Sequence, residues 1–588
     1  MNLGTGASAI SRLRQSSRIR LLVAGLLVVV VTSACVVLGS PQWMVNDDAV
    51  MAAMSSGSYT GSPETLLVYV SRILGSLLAL LYGVAPGLPW YALALLATLG
   101  LALVALSSLA RTWSALLAWG AISLPILTLA TLRPSFTTVA VVSASSGAVI
   151  FIQGLKSGNS RSLLSVGGLL IVVGVLWRVE AGMLALLIAV PALLILHWEL
   201  SWSLLRRRLL PIGLLAGVIA GCIWFSHSCV ALSECPAWTD YAHWNGLREA
   251  FNEDPRAYAL PPFIGVWGWT PGALSLFLSY AYPDNAIFGS GALEKAFDTV
   301  PGMLRMDGSS MGAHVSAQVQ TLMRFWPYLL VVLGIAMFGW RRAAARRRLT
   351  VIVIAFMGWF FVIFTSVALL RLTEPLILGL VFELGIVVLG IGLLSDSRER
   401  QDLDLKERLT GVVVIVSAGV SLAYLLGLGG TSIARWVGIN QAQTAASAQV
   451  SARYESIAGD SRAFSTATFP GCVGAPFLAG PFDAVDRRVK GPLASGWPVF
   501  SPAFEQRKRT LGLGDIYADI WAGAQHAGFG GDGVLFVGTE QQAQDTVGVM
   551  SFQLGYSPPL SFASLGDLCG SAAAPDSHIQ VWRFFKTT

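Results

Sequence analysis

The sequence predicts a mostly α-helical, polytopic membrane protein that ends in a small α/β domain. Of its 588 residues, 54% are hydrophobic and only 12% are charged, and the mean hydropathy is +0.65. Soluble domains carry about 25% charged residues, so this composition is typical of a chain that lies largely in a bilayer. The polarity becomes ordinary after residue 428. The net charge of +6 falls in short basic clusters between apolar stretches, a pattern that indicates topology signals and excludes a nucleic-acid partner.

The first apolar stretch, 21–39, predicts a retained membrane anchor preceded by a cytoplasmic segment at 1–20. No small-residue cleavage site leads from it into a soluble chain, and apolar stretches continue to residue 428, which disfavours a cleaved signal peptide. Windows of about 18 to 22 mostly apolar residues are long enough to cross a bilayer. They lie at 21–39, 66–84, 90–110, 114–132, 135–153, 162–177, 181–198, 209–227, 325–340, 350–370, 375–394 and 409–428.

The basic clusters decide which of these windows cross the membrane. If 66–84 crosses, the clusters at 206–208 and 341–348 lie outside; if it does not, every basic cluster faces the cytoplasm, as the positive-inside rule expects. Arg72 also lies in the middle of this window, where a spanning position would cost about 2.5–3.5 kcal/mol. We therefore predict that 64–84 forms an amphipathic juxtamembrane helix on the outer surface.

This topology leaves about eleven membrane-spanning helices within 21–428. It places an outer loop at 40–88, a large outer loop at 228–324 and an extracytoplasmic domain at 429–588. The bias toward Ala, Gly, Leu, Val and Arg is typical of a bacterial chain. The predicted location is therefore a bacterial plasma membrane, with the N-terminus in the cytoplasm.

Residues 429–588 predict the small α/β domain. Short apolar runs predict strands over 534–537 and 579–584, and helical periodicity predicts helices over 516–524 and 540–550. The region has no Gly-rich phosphate loop and no nucleophile elbow. Binding or structural support is therefore favoured over a second active site.

The six cysteines divide by environment. Cys35 and Cys222 lie in apolar stretches and are predicted to be packing residues. The other four lie in predicted outer segments, where an oxidising compartment favours disulfides. The two predicted pairs are Cys229 with Cys235 and Cys472 with Cys569. The sequence contains no CxxC motif and no His-rich zinc spacing.

An acidic motif, Asn46-Asp47-Asp48, follows the first span closely. Adjacent carboxylates repel each other, and that cost is tolerable only in water or beside a cation, so the pair predicts a functional site. A Gly- and Ser-rich run at 55–63 follows it. An acidic pair followed by such a run is not typical of a simple connecting loop. The alternative is a solvated loop in which Asn or Asp caps the next helix.

Lone charges at the outer ends of apolar helices are the second group of candidates. Ionisable residues at such positions usually face a water-filled cavity and serve a function, although snorkelling or helix-end pairing would explain any single one. Glu383, within a span, is expected instead to hydrogen-bond inside the bundle. The outer-end charges are Arg133, Arg178, Glu180, Arg371 and Glu374.

The large outer loop is rich in aromatic residues, among them Trp238, Tyr241, Trp244 and Trp269. Aromatic faces with interspersed polar groups suit sugar rings. A membrane-interface belt with a small loop core explains the same residues equally well, so both interpretations stay open. The apolar stretch 272–282 predicts a short second interfacial helix.

Together these features resemble the membrane-embedded glycosyltransferases of the GT-C superfamily. Its members share an acidic motif just after the first span, juxtamembrane helices in the first outer loop and many spans, often with a soluble C-terminal domain on the outer face. The resemblance covers the architecture of about 1–428 and the residues Asn46-Asp47-Asp48 and Arg178-Val179-Glu180, and it identifies no subfamily. It implies a polyprenyl-phosphate-linked sugar donor and a glycan, lipid or protein acceptor at the outer face of the lipid bilayer.

The residues are consistent with that chemistry on physical grounds. An acceptor hydroxyl that attacks the anomeric carbon has to lose its proton, which a carboxylate can take. Asp47 or Asp48 is the candidate base, and repulsion between them would raise the pKa of one. The departing phosphate needs cations, for which the candidates are Arg133, Arg178 and Arg371.

The remaining candidates are assigned to substrate binding. Glu180 would orient Arg178 or bind sugar hydroxyls, and Asn46 and Glu374 complete the set. No cofactor is required by this chemistry. Some members of the superfamily use a divalent metal at the acidic motif, which the resemblance leaves open here.

Two other functions explain the same charges. A transporter or flippase of lipid-linked saccharides would line its path with them, but the sequence shows no inverted repeat and no matching pair of Gly/Pro-broken spans. A non-catalytic envelope-assembly protein is the other alternative. Substitution of Asp47 and Asp48 separates these functions, because only a transferase would lose turnover while it still folds.

Overall fold

The computed structural model describes residues 4–157, 160–196, 202–231, 236–252, 268–282, 284–299, 373–393, 433–459, 461–465, 480–486, 491–525, 533–557, 560–568 and 578–586. The spans predicted at 325–340, 350–370 and 409–428 lie outside these ranges, as does Arg371. Cys235, Cys472, Cys569 and the side chain of Cys229 also lie outside them, and no disulfide is found among the described residues, so both disulfides stay predictions. Cys35 and Cys222 are free thiols.

The first part of the chain is a bundle of helices, as the composition predicts. Within the described ranges, five stretches are long and apolar enough to cross a membrane: Ser17–Gly39, Trp90–Ser107, Trp113–Leu132, Phe136–Lys156 and Leu209–Ser226. The helices are α1 (Gly4–Gly39), α2 (Asn46–Ser56), α3 (Arg72–Val84), α4 (Trp90–Ser107), α5 (Trp113–Leu132), α6 (Phe136–Lys156), α7 (Arg161–Trp177), α8 (Val179–Leu196), α9 (Trp202–Ala231), α10 (Pro236–Asn252), α11 (Pro271–Leu278), α12 (Asn285–Phe288), α13 (Ser290–Thr299), α14 (Glu374–Leu393) and α15 (Ile433–Ala458).

Helix α6 lies at the centre of the bundle, with all of its residues except the last one buried. Glycines bring α7 unusually close to it: a Cβ on Gly174 would lie 2.7 Å from the carbonyl oxygen of Ala140, and one on Gly167 would lie 2.5 Å from the backbone nitrogen of Phe151. Small residues at helix contacts are a common way to join membrane helices. The end of α7, and Arg178 just beyond it, are thereby fixed against the start of α6.

The first outer loop contains two helices, and the predicted helix over 64–84 is shorter than expected. Helix α3 begins only at Arg72, because Ser71 caps it by accepting a hydrogen bond from the Leu74 N–H at 3.4 Å. Arg72 is therefore at a helix end, where its guanidinium lies 5.6 Å from the Phe225 ring centroid. At 13 residues, α3 is about 20 Å long, too short to cross a bilayer alone.

The acidic motif is not a solvated loop, because it forms the first turn of α2. The preceding chain pairs with the α5–α6 connection, where the Gln42 N–H donates to the Leu132 carbonyl at 3.1 Å and the Met44 N–H donates to Pro134 at 3.3 Å. Helix α2 ends at Gly57, whose φ of +85° favours glycine. These contacts hold the motif at the outer end of the bundle, where "outer" denotes the side predicted from the basic clusters.

The tail forms a five-stranded mixed sheet with helices, which confirms the predicted α/β character. The strands predicted at 534–537 and 579–584 and the two predicted helices are found with small shifts of their ends. Strand order is β2-β1-β3-β5-β4; β1 is parallel to β2 and β3, and β5 is antiparallel to β3 and β4. The elements are β1 (Ala463–Ser465), β2 (Leu493–Ala494), α16 (Pro502–Thr510), α17 (Ile516–Gln525), β3 (Leu535–Gly538), α18 (Glu540–Gly548), a π-helical turn (Val549–Gln553), β4 (Leu560–Asp567) and β5 (Gln580–Lys586).

The sheet is covered on both faces. Because neighbouring residues of a strand point to opposite faces, Val581 of β5 packs toward Tyr454 of α15, while Trp582 packs toward the large outer loop. Trp244 of α10 and Phe288 of α12 share a single hydrophobic core with Trp582. The large outer loop and the tail therefore form one packed unit above the bundle.

Candidate active site

Asp48 is an anchor within the acidic motif. Its side chain is fully buried, with a relative exposure of 0%, and its Oδ1 accepts hydrogen bonds from the Phe136 N–H at 3.0 Å and the Tyr91 hydroxyl at 3.2 Å. Burial raises the pKa of Asp48 well above its usual range, the Phe136 hydrogen bond opposes this, and the neighbouring Asp47 charge adds to it. Asp48 thus joins α2 to α4 and α6.

Asp47 is half-buried and interacts electrostatically with Arg178, Arg248 and Glu249. Burial raises the pKa of its carboxyl, whereas the charges of Arg178 and Arg248 and a hydrogen bond from the Trp497 side chain lower it. Repulsion between the two aspartates was expected to raise the pKa of one of them, and the Asp47 charge does add to the rise in the pKa of Asp48. Burial is the larger cause for both, because α2 packs against the bundle instead of entering water.

Arg178 lies between α7 and α8, as predicted at an outer helix end. Its Nη1 donates to the Thr137 hydroxyl at 2.7 Å, and its guanidinium lies 5.3 Å from the Phe136 ring centroid and 5.7 Å from that of Tyr69. Glu180 approaches its Nε at 3.8 Å but is 80% exposed, so this ion pair contributes little. The Arg178 side chain is 26% exposed and is oriented by the aromatic rings.

Arg248 belongs to the same site and was missed by the sequence analysis. It lies on α10 with a relative exposure of only 2%, and its Nε donates to Asn245 Oδ1 at 3.0 Å. Its guanidinium is 6.0 Å from the ring of Tyr280, a residue with a φ of +60°. A signal was present: Tyr241, Trp244 and Arg248 follow helical spacing on one face, which places an arginine on an aromatic stripe.

The tail supplies a residue to this site. Trp497 precedes α16; its carbonyl accepts a hydrogen bond from the Tyr241 hydroxyl at 2.9 Å, and its ring lies 5.2 Å from that of Tyr69 in an edge contact. Its side chain hydrogen-bonds Asp47. The sequence analysis expected the tail to serve binding or support. A tail residue that contacts the acidic motif could not be found from the sequence, because nothing in 495–500 marks it.

The other predicted charges form a separate group. Arg133 donates to the Trp43 carbonyl at 3.3 Å, and its guanidinium lies 4.9 Å from the Trp436 ring centroid. Burial lowers the pKa of Arg133, and the charge of Glu374 opposes that shift. No contact described in the structure joins this group to Asp47.

Two further residues can be placed. Asn46 is exposed at the start of α2. Glu383 is fully buried on α14 beside Ser145 of α6, so it lies inside the bundle, apart from the charges at the outer ends.

The resemblance leaves a divalent metal at the acidic motif open, and two features of the described residues disfavour one. The Asp48 carboxylate is buried and already accepts two hydrogen bonds through one oxygen, while Asp47 faces two guanidinium cations that would repel a dication. Within the described ranges, no group of three or more His, Cys, Asp or Glu side chains is arranged to hold a metal ion. The chemistry below therefore uses side chains alone.

Comparison with known proteins gives one remote structural likeness. No family model matches the sequence, and no curated protein sequence matches it. The crystal structure of ArnT from Cupriavidus metallidurans in the apo state aligns with 98% of both chains at 12% identity and a TM-score of 0.37. The same protein bound to undecaprenyl phosphate aligns over 98% of both chains at 13% identity and a TM-score of 0.36. A likeness this remote carries no argument about activity.

Proposed function

We propose that this protein is a membrane glycosyltransferase that moves a sugar from a polyprenyl-phosphate donor to a cell-envelope acceptor at the outer face. The observation that carries the proposal is the electrostatic interaction of Asp47 with Arg178 and Arg248, at the outer end of a membrane bundle. A carboxylate in the field of a partly exposed guanidinium combines a proton acceptor with a cation that can bind phosphate. The reaction needs both groups within the reach of one substrate.

In the proposed reaction, the acceptor hydroxyl oxygen bonds to the anomeric carbon as the bond from that carbon to the phosphate oxygen breaks. Asp47 takes the hydroxyl proton, and the phosphate leaves with the bonding electron pair. Such a base contributes about 10²–10⁴-fold to the rate. Burial raises the pKa of Asp47, which makes it a stronger base, while the two arginines keep its ionised form accessible.

Arg178, which is partly exposed, would bind the phosphate, and the buried Arg248 would stabilise the developing charge through its field. A guanidinium offers five N–H donors in a planar fork that matches a phosphate. In Arg178 one amino group already donates to Thr137, and the rings of Phe136 and Tyr69 hold the plane of the guanidinium in place. A guanidinium that is already fixed in its binding orientation loses little conformational entropy when the sugar donor binds.

Of the two aspartates, Asp47 is the proposed base and Asp48 the residue that positions it. Asp47 retains exposed surface, whereas Asp48 is enclosed and hydrogen-bonded to Phe136 and Tyr91. An acceptor hydroxyl can therefore reach Asp47 without rearrangement of the bundle. Asp48 fixes the first turn of α2 and with it the direction of the Asp47 side chain.

The test is sugar transfer in membranes from a radiolabelled pool of polyprenyl-phosphate sugars, at matched expression. Asp47→Asn keeps the size of the side chain and removes the base, so transfer should fall by about 10²-fold or more. Asp515→Asn is the matched control, because Asp515 is exposed and caps α17, and Asn caps equally well. Normal transfer by Asp47→Asn would refute the proposed base and favour a transporter or an assembly protein.

A further inference from the structure

A large cavity lies in the outer layer, away from the membrane helices. Its volume is about 850 Å³, within the range of about 300–1,000 Å³ that is usual for organic ligands. It opens between α10, α12 and α13 of the large outer loop, and the tail closes it with Phe500 and Gln553. Among the described residues, its lining comes from the large outer loop and the tail.

The lining combines aromatic rings with hydrogen-bonding groups. Tyr241, Trp244 and Trp269 contribute ring surface, and Asp240 and Asn285 contribute polar groups beside it. An apolar ligand would leave these polar groups without partners, which is costly. A saccharide satisfies both kinds of surface, because its C–H faces lie on aromatic rings and its hydroxyls bond to polar side chains.

The charges around the cavity favour a neutral or weakly charged ligand. Lys295 lies on its lining with Asp240, and the lining residue His243 pairs with Glu294 at 2.8 Å. Cations and carboxylates are thus balanced on this lining, whereas Asp47 interacts electrostatically with the two guanidinium groups of Arg178 and Arg248 as well as with Glu249. The phosphate-bearing donor belongs at the arginines, and the cavity suits the other substrate.

Two unusual backbone segments of the tail complete the wall. Phe500 has a φ of +64°, which side-chain-bearing residues rarely adopt, and its ring lies 5.0 Å from that of Trp244 in an edge contact. Gln553 ends the π-helical turn, and its Oε1 accepts from the Thr270 N–H at 3.5 Å. Conformations of both kinds occur preferentially at functional sites. Phe500 and Gln553 both line this cavity.

The cavity is connected to the proposed base through two residues. Tyr241 lines the cavity, and its hydroxyl donates to the carbonyl of Trp497 at 2.9 Å. The side chain of Trp497 hydrogen-bonds Asp47. A ligand that lies against Tyr241 is therefore separated from Asp47 by Tyr241 and Trp497 alone.

We infer that this cavity is the acceptor subsite and binds a short oligosaccharide, whose terminal hydroxyl is directed past Tyr241 to Asp47. The inference rests on the proposed transferase function and adds to it the class of acceptor and the place where it binds. It also assigns a role to the tail, which completes the acceptor subsite with Phe500 and Gln553.

The test uses full-length protein in detergent and, as probe, oligosaccharides released from bacterial cell-envelope polysaccharide by partial acid hydrolysis. Ala286 is exposed and lines the cavity, so Ala286→Trp should fill it. Ala242→Trp is the matched control, because Ala242 is exposed on α10 and is not part of the lining. Binding is measured by calorimetry, and transfer is measured as separate KM values for acceptor and donor.

Ala286→Trp is expected to weaken oligosaccharide binding and raise the acceptor KM at least tenfold, with the donor KM unchanged. Asn285→Ala, which removes only an exposed side chain, should raise the acceptor KM several-fold and covers the case in which Ala286→Trp does not fold. If both cavity variants match Ala242→Trp in binding and in acceptor KM, the subsite is refuted while the transferase stands. Binding lost in both variants with transfer absent from wild type would refute the transferase and leave a saccharide-binding cavity.

Discussion

Trp497→Phe separates the chemical role of the tail from its structural role. The substitution removes the indole N–H that hydrogen-bonds Asp47 but keeps an aromatic ring against Tyr69. The carbonyl of residue 497 can still accept from the Tyr241 hydroxyl, because that bond involves only the backbone. Packing should therefore be nearly conserved while one stabilising contact of the carboxylate is lost.

The direction and size of the effect follow from the hydrogen bond. The Trp497 bond favours the ionised carboxylate and so lowers the pKa of Asp47; without it the pKa rises. A base acts only when ionised, so activity is lost as the pH falls through this pKa. Hydrogen bonds to charged groups contribute about 1.5–3 kcal/mol, which is about 10- to 150-fold in rate on the acidic side of the profile.

The assay is the pH dependence of kcat/KM for sugar transfer, which reports the pKa of the base in the free enzyme. The acidic limb should move to higher pH, and the rate should return to the wild-type level above it. Trp521→Phe is the matched control, since Trp521 stacks on Tyr556 at 5.0 Å within the tail. An unmoved limb, or an equal loss at every pH, would show that Trp497 does not act through the ionisation of Asp47.

Three more predictions follow from contacts around the motif. Asp48→Ala leaves the buried donors of Phe136 and Tyr91 without an acceptor, so thermal stability in detergent should fall by about 1–3 kcal/mol for each donor, and Asp48→Asn, which keeps an oxygen, should fall less. Arg178→Lys keeps the charge but loses the planar fork, so the donor KM should rise about tenfold with a nearly unchanged acceptor KM; equal changes in both would contradict a donor-specific role. Gly174→Val forces side-chain atoms against the Ala140 carbonyl and should cost about 1–3 kcal/mol of stability by overpacking, a result that an unchanged melting temperature would refute.

Much of the fold follows from local patterns in the sequence. The apolar windows, the α/β character of the tail and the two predicted tail strands depend on periodicity, which neighbouring residues carry by themselves. The prediction that α3 begins at residue 64 was wrong by eight residues. The cap provided by Ser71 was not recognised because it lies within an apolar run. A capping serine of this kind can be recognised in a sequence only when a second signal also marks the end of the helix.

The site could be predicted only in part. Asp47 and Arg178 were found because a charge at the edge of an apolar stretch is conspicuous. Arg248 was missed since the surrounding aromatic residues suit an interface belt equally well, and Trp497 was missed because its contact with Asp47 depends on how the tail packs on the outer loop. Arg133 has the same local pattern as Arg178 yet belongs to another group, since local pattern does not specify which helix ends are neighbours.

The shared core of the large outer loop and the tail has a consequence for biosynthesis. Asp47 is made before most of the membrane helices, whereas Trp497, Phe500 and Gln553 are made after them and, under the predicted topology, must cross the membrane before they can pack. Under the proposed function, a chain still in the translocation channel holds its base and Arg178 but lacks its acceptor wall. Catalytic competence thus comes only with complete export, so an unfinished transferase would not consume the lipid-linked sugar pool.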